Sequence, residues 1–182
     1  MTSAQQNLDS AIFSFPPVGA INGHTLILGS MPGEASLRAG EYYAHPQNCF
    51  WLIMGELFGA DRNLAYEKRL LILAHHGITL WESLQSCTRR GSLDSAIQSE
   101  VPNDFRKYFH AHPDYKRVFF NGAKAEQIFK RYVLPTLGNH DLFLQKLPST
   151  SPAHARMRFQ EKLIAWRMVI PNQLSERKNK LL

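Results

Sequence analysis

The sequence predicts a single α/β domain: a central, mostly parallel sheet of four strands with helices packed on both faces. Three observations carry this. Short apolar runs alternate with stretches of helical spacing, the order that builds βαβ units. The 182 residues, 44% hydrophobic and 20% charged, match one globular domain able to bury a real core. No apolar run nears the ~18 residues of a membrane span, and no internal repeat or low-complexity tract divides the chain. Disordered, collagen-like and helical membrane classes are thereby excluded.

The elements follow in order. His24–Gly29, HTLILG, is a short apolar run ended by SMPG, a buried strand entering a Gly/Pro loop. Phe50–Phe58 and Leu64–His75 carry helical spacing, and Ile78–Trp81 is a second strand after the break at Gly77. Asp94–Ile97 is too short to assign. Arg117–Asn121, RVFFN, is a third strand, closed by Gly122 and followed by the helical pattern AKAEQIFKRYV. Asp141–Leu147 is the fourth, and PSTSPAHA leads from it into a basic amphipathic helix over Arg156–Ile170. The domain thus spans residues 1–182, with a core from about 24 to 170 and a flexible basic tail expected over 171–182. In such sheets ligands bind beyond the carboxyl ends of the strands, so GSMPG, the NG at 121–122 and PSTSPAH at 148–154 should meet at one crevice.

Charge and cysteine content bound the partners and the compartment. The 21 Lys+Arg exceed the 15 Asp+Glu by six, yet residues 1–145 balance at 13 of each sign, so residues 146–182 hold the whole excess. A localised basic segment is the footprint of a polyanion, because each cation set against a phosphate releases counterions; a solvated helix with a frayed tail is the plainer reading of SERKNKLL. Cys49 and Cys87 are too few for a disulfide framework or a four-cysteine metal cluster. MTSAQQNLDSAIF lacks the basic start and long apolar stretch of a secretory signal, so a reduced, cytoplasmic protein is expected.

Several chemistries lack their residues: there is no GxxxxGK[ST] phosphate loop, no GxSxG elbow and no HExxH helix. The pairs His75/His76 and His110/His112 have no third ligand at useful spacing, so no metal site is expected. A triad of Ser151, His154 and Asp141 can be drawn on paper, as in any histidine-rich chain. What remains is a pocket of amides, hydroxyls, aromatics and one or two histidines, an inventory suited to recognising a flat polar ring. Asn121 is either an amide held at a strand end to read such a ring or the ordinary NG turn. Tyr42 and Tyr43 supply aromatic faces.

GSMPG (29–33), YYAHPQNCFW (42–51), RVFFNG (117–122) and LPSTSPAHA (147–155), in this order, resemble the uracil-DNA glycosylase superfamily. The likeness covers about His24 to Ile170. Within the superfamily it is most similar to the hypoxanthine-DNA (deoxyinosine) glycosylase branch, and next to the mismatch-specific uracil/thymine branch with its HPxNxFW segment. The resemblance implies the three-layer fold of that family and a monofunctional DNA repair glycosylase, with hypoxanthine favoured. Alternatives are a mismatch uracil glycosylase or a DNA-binding relative with weak chemistry.

Residue by residue, the resemblance implies that Asn48 orients the attacking water, that Tyr43 stacks on the flipped base and that Asn121 reads its edge. Ser30, Met31 and Ser149 complete the base pocket, and His154 aids the departing base. Gly33, His45, Ser151, Pro152, Arg156 and Arg158 contact the DNA backbone, although His45 serves equally as a loop brace. Two positions depart from the family pattern. Met31 stands where an Asp or Asn is usual, and a thioether can neither polarise water nor stabilise a cationic sugar. Ser149 stands where many relatives carry His or Asn. No lysine adjoins the motifs to form a Schiff base, no cofactor is implied, and the expected partner is DNA holding deaminated bases. A monomer is expected, in bacterial cytoplasm and nucleoid-associated when bound to DNA. Phe50, Trp51 and Cys49 read as core residues, and Pro16 and Pro17 as shaping an entry loop.

Overall fold

In the computed structural model, which describes residues 11–171, the chain enters through two-residue strands, Ile12–Phe13 (β1) and Val18–Gly19 (β2). The buried run Thr25–Gly29 (β3) follows, then helices Glu34–Ala39 (α1), Phe50–Phe58 (α2) and Tyr66–His75 (α3). Next come strands Ile78–Glu82 (β4), Leu84–Thr88 (β5) and Gln98–Pro102 (β6), and helix Phe105–Ala111 (α4). Arg117–Asn121 (β7) leads into Ala123–Ile128 (α5), a π-helical turn at Phe129–Val133 and Leu134–Leu137 (α6). Phe143–Leu147 (β8) and Phe159–Trp166 (α7) complete the order.

The main sheet runs β2-β4-β3-β7-β8. Strands β4, β3, β7 and β8 are mutually parallel, with Gly29 opposite Glu82 and Asn121 opposite Leu147. The expected four parallel strands are therefore present, joined by β2 as a short antiparallel edge. Because side chains alternate across a strand, β3 and β7 feed two cores. Ile27 and Phe119 pack with Phe50, Ile53, Leu73, Leu163 and Trp166 of α2, α3 and α7. Leu26, Leu28, Val118 and Phe120 face Phe105, Tyr115 and Phe129 on the other side. Burial on both faces is why these strands read as unbroken apolar runs.

A second sheet, β1-β5-β6, is antiparallel and was not legible. LQSCT buries only Leu84 and Cys87, three residues apart, and QSEVP is polar and largely solvent-facing, so neither alternation nor an apolar run marks them. Asp94–Ala96 is a single 3-10 turn between them. Boundaries shift elsewhere: α3 starts at Tyr66 rather than Leu64, β4 extends to Glu82, and β8 starts at Phe143 rather than Asp141. The C-terminal helix begins at Phe159, not Arg156. The Arg158 backbone N–H donates to the Glu161 carboxylate at 2.7 Å, which satisfies an N-terminal donor there and leaves Arg156–Arg158 in the preceding loop. The tail expected over 171–182 lies, from residue 172 on, outside the described residues, as do residues 1–10.

Candidate active site

The carboxyl ends of the four parallel strands open into one cleft of about 770 Å3. Gly29, Glu82 and Asn121 form its floor, and four loops wall it: residues 30–36, 43–48, 92–95 and 149–154. Ser30, Met31, Gly33, Tyr43, His45, Asn48, Asn121, Ser149, Ser151, Pro152 and His154 all line it. Arg156 and Arg158 do not; both are exposed on the stretch between the cleft wall and α7. Met31 also packs into the small core of Leu84, Cys87, Ile97 and Ile128, and the Ser30 hydroxyl donates to the Asp94 carboxylate.

Tyr42 anchors the loop that carries Tyr43, His45 and Asn48. Its N–H donates to the Tyr66 hydroxyl at 3.0 Å, its carbonyl accepts from Trp51 Nε1 at 2.9 Å, and its hydroxyl donates to the Pro16 carbonyl at 3.1 Å. Pro16 thus braces the loop, and neither it nor Pro17 lines the cleft. Tyr43 follows with φ +57°, a left-handed backbone uncommon outside glycine. Its ring stacks on Phe50 with centroids 3.9 Å apart, so one face is covered by the core while the ring lines the cleft. The hydroxyl is buried beside the Asn121 amide, without a hydrogen bond of good geometry among the described residues. Burial, with the nearby Glu82 carboxyl, pushes this phenol far up, so it stays protonated. Asn48 Oδ1 accepts from the Phe50 N–H at 3.0 Å, the first donor of α2, and this fixes the amide at the cleft edge. His45 braces as well as lines: its Nδ1 accepts from the Gln47 N–H at 3.2 Å.

Asn121 is held from one side by Thr150. Its Oδ1 accepts from the Thr150 N–H at 2.8 Å, and its Nδ2 donates to Thr150 Oγ1 at 2.8 Å. A backbone N–H can only donate, so the amide has one orientation, with one N–H and one oxygen lone pair left over. The carbonyl of Thr150 accepts from the Cys49 N–H at 3.1 Å, which ties the Asn48 loop to the 149–154 loop. Thr150, buried at 1% exposure, is a functional residue that the sequence does not flag between Ser149 and Ser151. An uncharged residue inside a polar loop gives no sign of being the hub.

Glu82 is likewise not flagged, because the apolar run of its strand stops at Trp81. It is 3% exposed, lines the cleft, and its Oε2 has no hydrogen-bond partner among the described residues. The carboxyl lies across Gly29, where a Cβ would meet it and force the Glu82 side chain to move. Desolvation, then the Asp94 carboxylate, hold the Glu82 acid well above the usual carboxylate range, with Arg89 opposing.

Other candidates fall away on geometry. Asp141 precedes the amino end of β8 and pairs with Lys116 at 2.8 Å, whereas Ser151 and His154 lie beyond the carboxyl end, so that triad cannot assemble. Among the described residues no three His, Cys, Asp or Glu side chains gather as a metal site would need. Cys49 has its thiol pushed up by burial against the opposing Lys162, and the thiol donates to the Thr150 carbonyl. One lysine does reach the cleft wall: Lys124, whose ammonium is paired with Glu100 and is thus kept from acting as a nucleophile.

A cleft at the carboxyl ends of a parallel sheet, with a stacked aromatic and an orientation-locked amide, defines a protein that holds a planar heterocycle. The family model described as "Uracil DNA glycosylase superfamily" matches residues 16–170, and the chain belongs to that superfamily, a DNA glycosylase hydrolysing N-glycosyl bonds. A curated protein of Methanosarcina acetivorans, "Hypoxanthine DNA glycosylase", is 38% identical over 143 residues, covering 78% of this chain and 87% of its own length. One of the same name from Methanosarcina barkeri is 40% identical over 112 residues, covering 61% and 71%. A solution NMR structure from Methanosarcina acetivorans, provisionally described as a uracil DNA glycosylase, superposes with a TM-score of 0.71 at 33% identity, covering 88% of this chain and 99% of that one. No helix of the described residues is long and apolar enough to cross a membrane.

Proposed function

We propose that the protein excises hypoxanthine from DNA, and that the locked Asn121 amide is what recognises the base. A base stacked in a duplex cannot reach the cleft, so the nucleotide is first turned out, which costs least at a weakly paired lesion. Tyr43 recovers part of that cost by stacking, worth about 1–3 kcal/mol per base. Hypoxanthine presents O6 beside N1–H; the free Asn121 N–H donates to the first and Oδ1 accepts from the second. Adenine presents the reverse pair, and turning the amide to suit it would set Nδ2 against the Thr150 N–H.

Cleavage places positive charge on the sugar and negative charge on the leaving base, so the site needs an oriented water and donors toward the base. Asn48 orients the water: the α2 terminus takes one lone pair of its Oδ1, and the other lone pair and Nδ2 are left to hold the nucleophile. An amide is a poor base, so it positions rather than deprotonates. Ser30, Ser149 and His154 frame the base side, while Gly33, His45, Ser151 and Pro152 receive the flanking phosphates, with Arg156 and Arg158 behind them. A monomer in a reducing cytoplasm completes this reading, which the two unbonded cysteines suit.

The test is single-turnover excision on duplexes bearing hypoxanthine, uracil or xanthine. Hypoxanthine should leave fastest, uracil more slowly because it offers the same O4/N3–H pair in a smaller ring. Asn48→Ala should lose at least ~10²-fold in rate at unchanged duplex affinity, the scale on which well-placed catalytic groups act. Excision at the parental rate would remove Asn48 from the mechanism. Failure of the parent protein on every base would remove the reading itself.

A further inference from the structure

The cleft holds an acid that the family resemblance did not supply. Glu82 and Asn121 close strands β4 and β7, and Gly29, at the end of β3 between them, has no side chain. Strands lie about 4.8 Å apart, so the two residues stand roughly 10 Å apart across the floor, on either side of a bare backbone. A ring lying there meets the amide on one side and the carboxyl on the other. Glu82 Oε2 is buried, lines the cleft and has no partner among the described residues. An unsatisfied polar atom of this kind is costly unless a ligand completes it.

We propose that Glu82 is a catalytic acid specific for purines, donating its carboxyl proton to an acceptor nitrogen of the hypoxanthine ring, N7 or N3, as the glycosidic bond breaks. The step rests on the hypoxanthine reading above. The C1′–N9 electron pair passes to the base, the Glu82 proton neutralises it, and neutral hypoxanthine leaves. Water adds its oxygen to C1′, and the proton it releases restores the Glu82 acid through solvent. Uracil has no free ring acceptor to take this proton, since its N3 already carries hydrogen and its N1 bears the sugar. The same carboxyl therefore favours a purine over a pyrimidine, a distinction that Asn121 alone cannot make.

The groups facing Glu82 keep the proton in place. Asp94, across the cleft wall, disfavours ionisation, and Tyr42 and Tyr43 are neutral neighbours from the 40–49 loop. Arg89 is the opposing cation among the described residues around it. A buried acid with a raised pKa leaves the folded state fully stable at low pH and destabilises it as pH climbs through the range between its ordinary and its raised value. Glu82→Gln removes the titration, so its melting temperature should fall less than the parent's as pH is raised above the ordinary carboxylate range.

The experiment compares parent and Glu82→Gln in single-turnover excision of hypoxanthine, 7-deazahypoxanthine and 3-deazahypoxanthine across pH. The parental rate on hypoxanthine should decline as pH rises through the Glu82 ionisation. Glu82→Gln should be slower by on the order of 10²-fold with a flat profile, while still binding the hypoxanthine duplex. On the analogue lacking the protonated nitrogen, parent and variant should react equally slowly. Equal rates and equal pH profiles on hypoxanthine would overturn the proposal, as would the same Glu82→Gln deficit on both analogues. A parent active on hypoxanthine with an unaffected variant sinks only this inference, whereas an inactive parent sinks the function beneath it.

Discussion

Thr150 carries the finest piece of the site, since three of its polar atoms hold two loops and one amide in register. Thr150→Val keeps the shape and the backbone contacts but removes the hydroxyl, leaving an Asn121 N–H without its acceptor. The expected loss is about 1–3 kcal/mol in chemical denaturation, the penalty of an unsatisfied buried donor, and a narrower preference for hypoxanthine over adenine. Thr150→Ser should restore both, which separates a hydrogen-bond effect from a packing effect. At this scale the sequence was half legible. Asn48, Tyr43 and Asn121 were reached through the family resemblance, since spacing alone left Asn121 open, and all three line the cleft. Glu82 and Thr150 did not, because burial and an unpartnered oxygen are properties of packing, and nothing in WESL or PSTS displays them.

Among the elements, the loop between α1 and α2 is placed by α3 as well as by its own Tyr42. Arg69, nearly buried on α3, lays its guanidinium over Trp51 at 4.5 Å and Tyr66 at 5.1 Å and reaches Glu41 at 3.2 Å. Lysine cannot stack as a plane, so Arg69→Lys is not a conservative change here. It should cost about 1–2 kcal/mol of stability in chemical denaturation and slow excision, because the segment carrying Tyr43 and Asn48 loosens. Unaltered excision in a destabilised variant would show that Tyr42 alone fixes the loop. The parallel strands were readable because their burial on both faces leaves only apolar residues. The antiparallel sheet was not, although it supplies the wall at 92–95, which is fastened to the opposite loop where Ser92 Oγ accepts the Glu34 N–H at 3.0 Å.

Over the whole molecule, Arg156 and Arg158 set two exposed basic charges just beyond the cleft wall. The basic excess begins after residue 145, and the loop from Ser149 to Arg158 runs from the cleft mouth to α7. Replacing Arg156 and Arg158 with alanine should weaken binding to all duplexes alike and reduce the salt dependence by about one unit of slope for each phosphate no longer neutralised, read by titration at several salt concentrations. An unchanged slope would place both arginines away from the backbone. An amide fixed in one orientation, meanwhile, cannot tell hypoxanthine from guanine, for guanine shows it the same carbonyl and N–H. Undamaged guanine differs only by its 2-amino group and by the firmness of its pairing with cytosine. The restraint on this protein therefore lies outside its recognition amide, in the space left beside C2 and in the base pair's resistance to being opened.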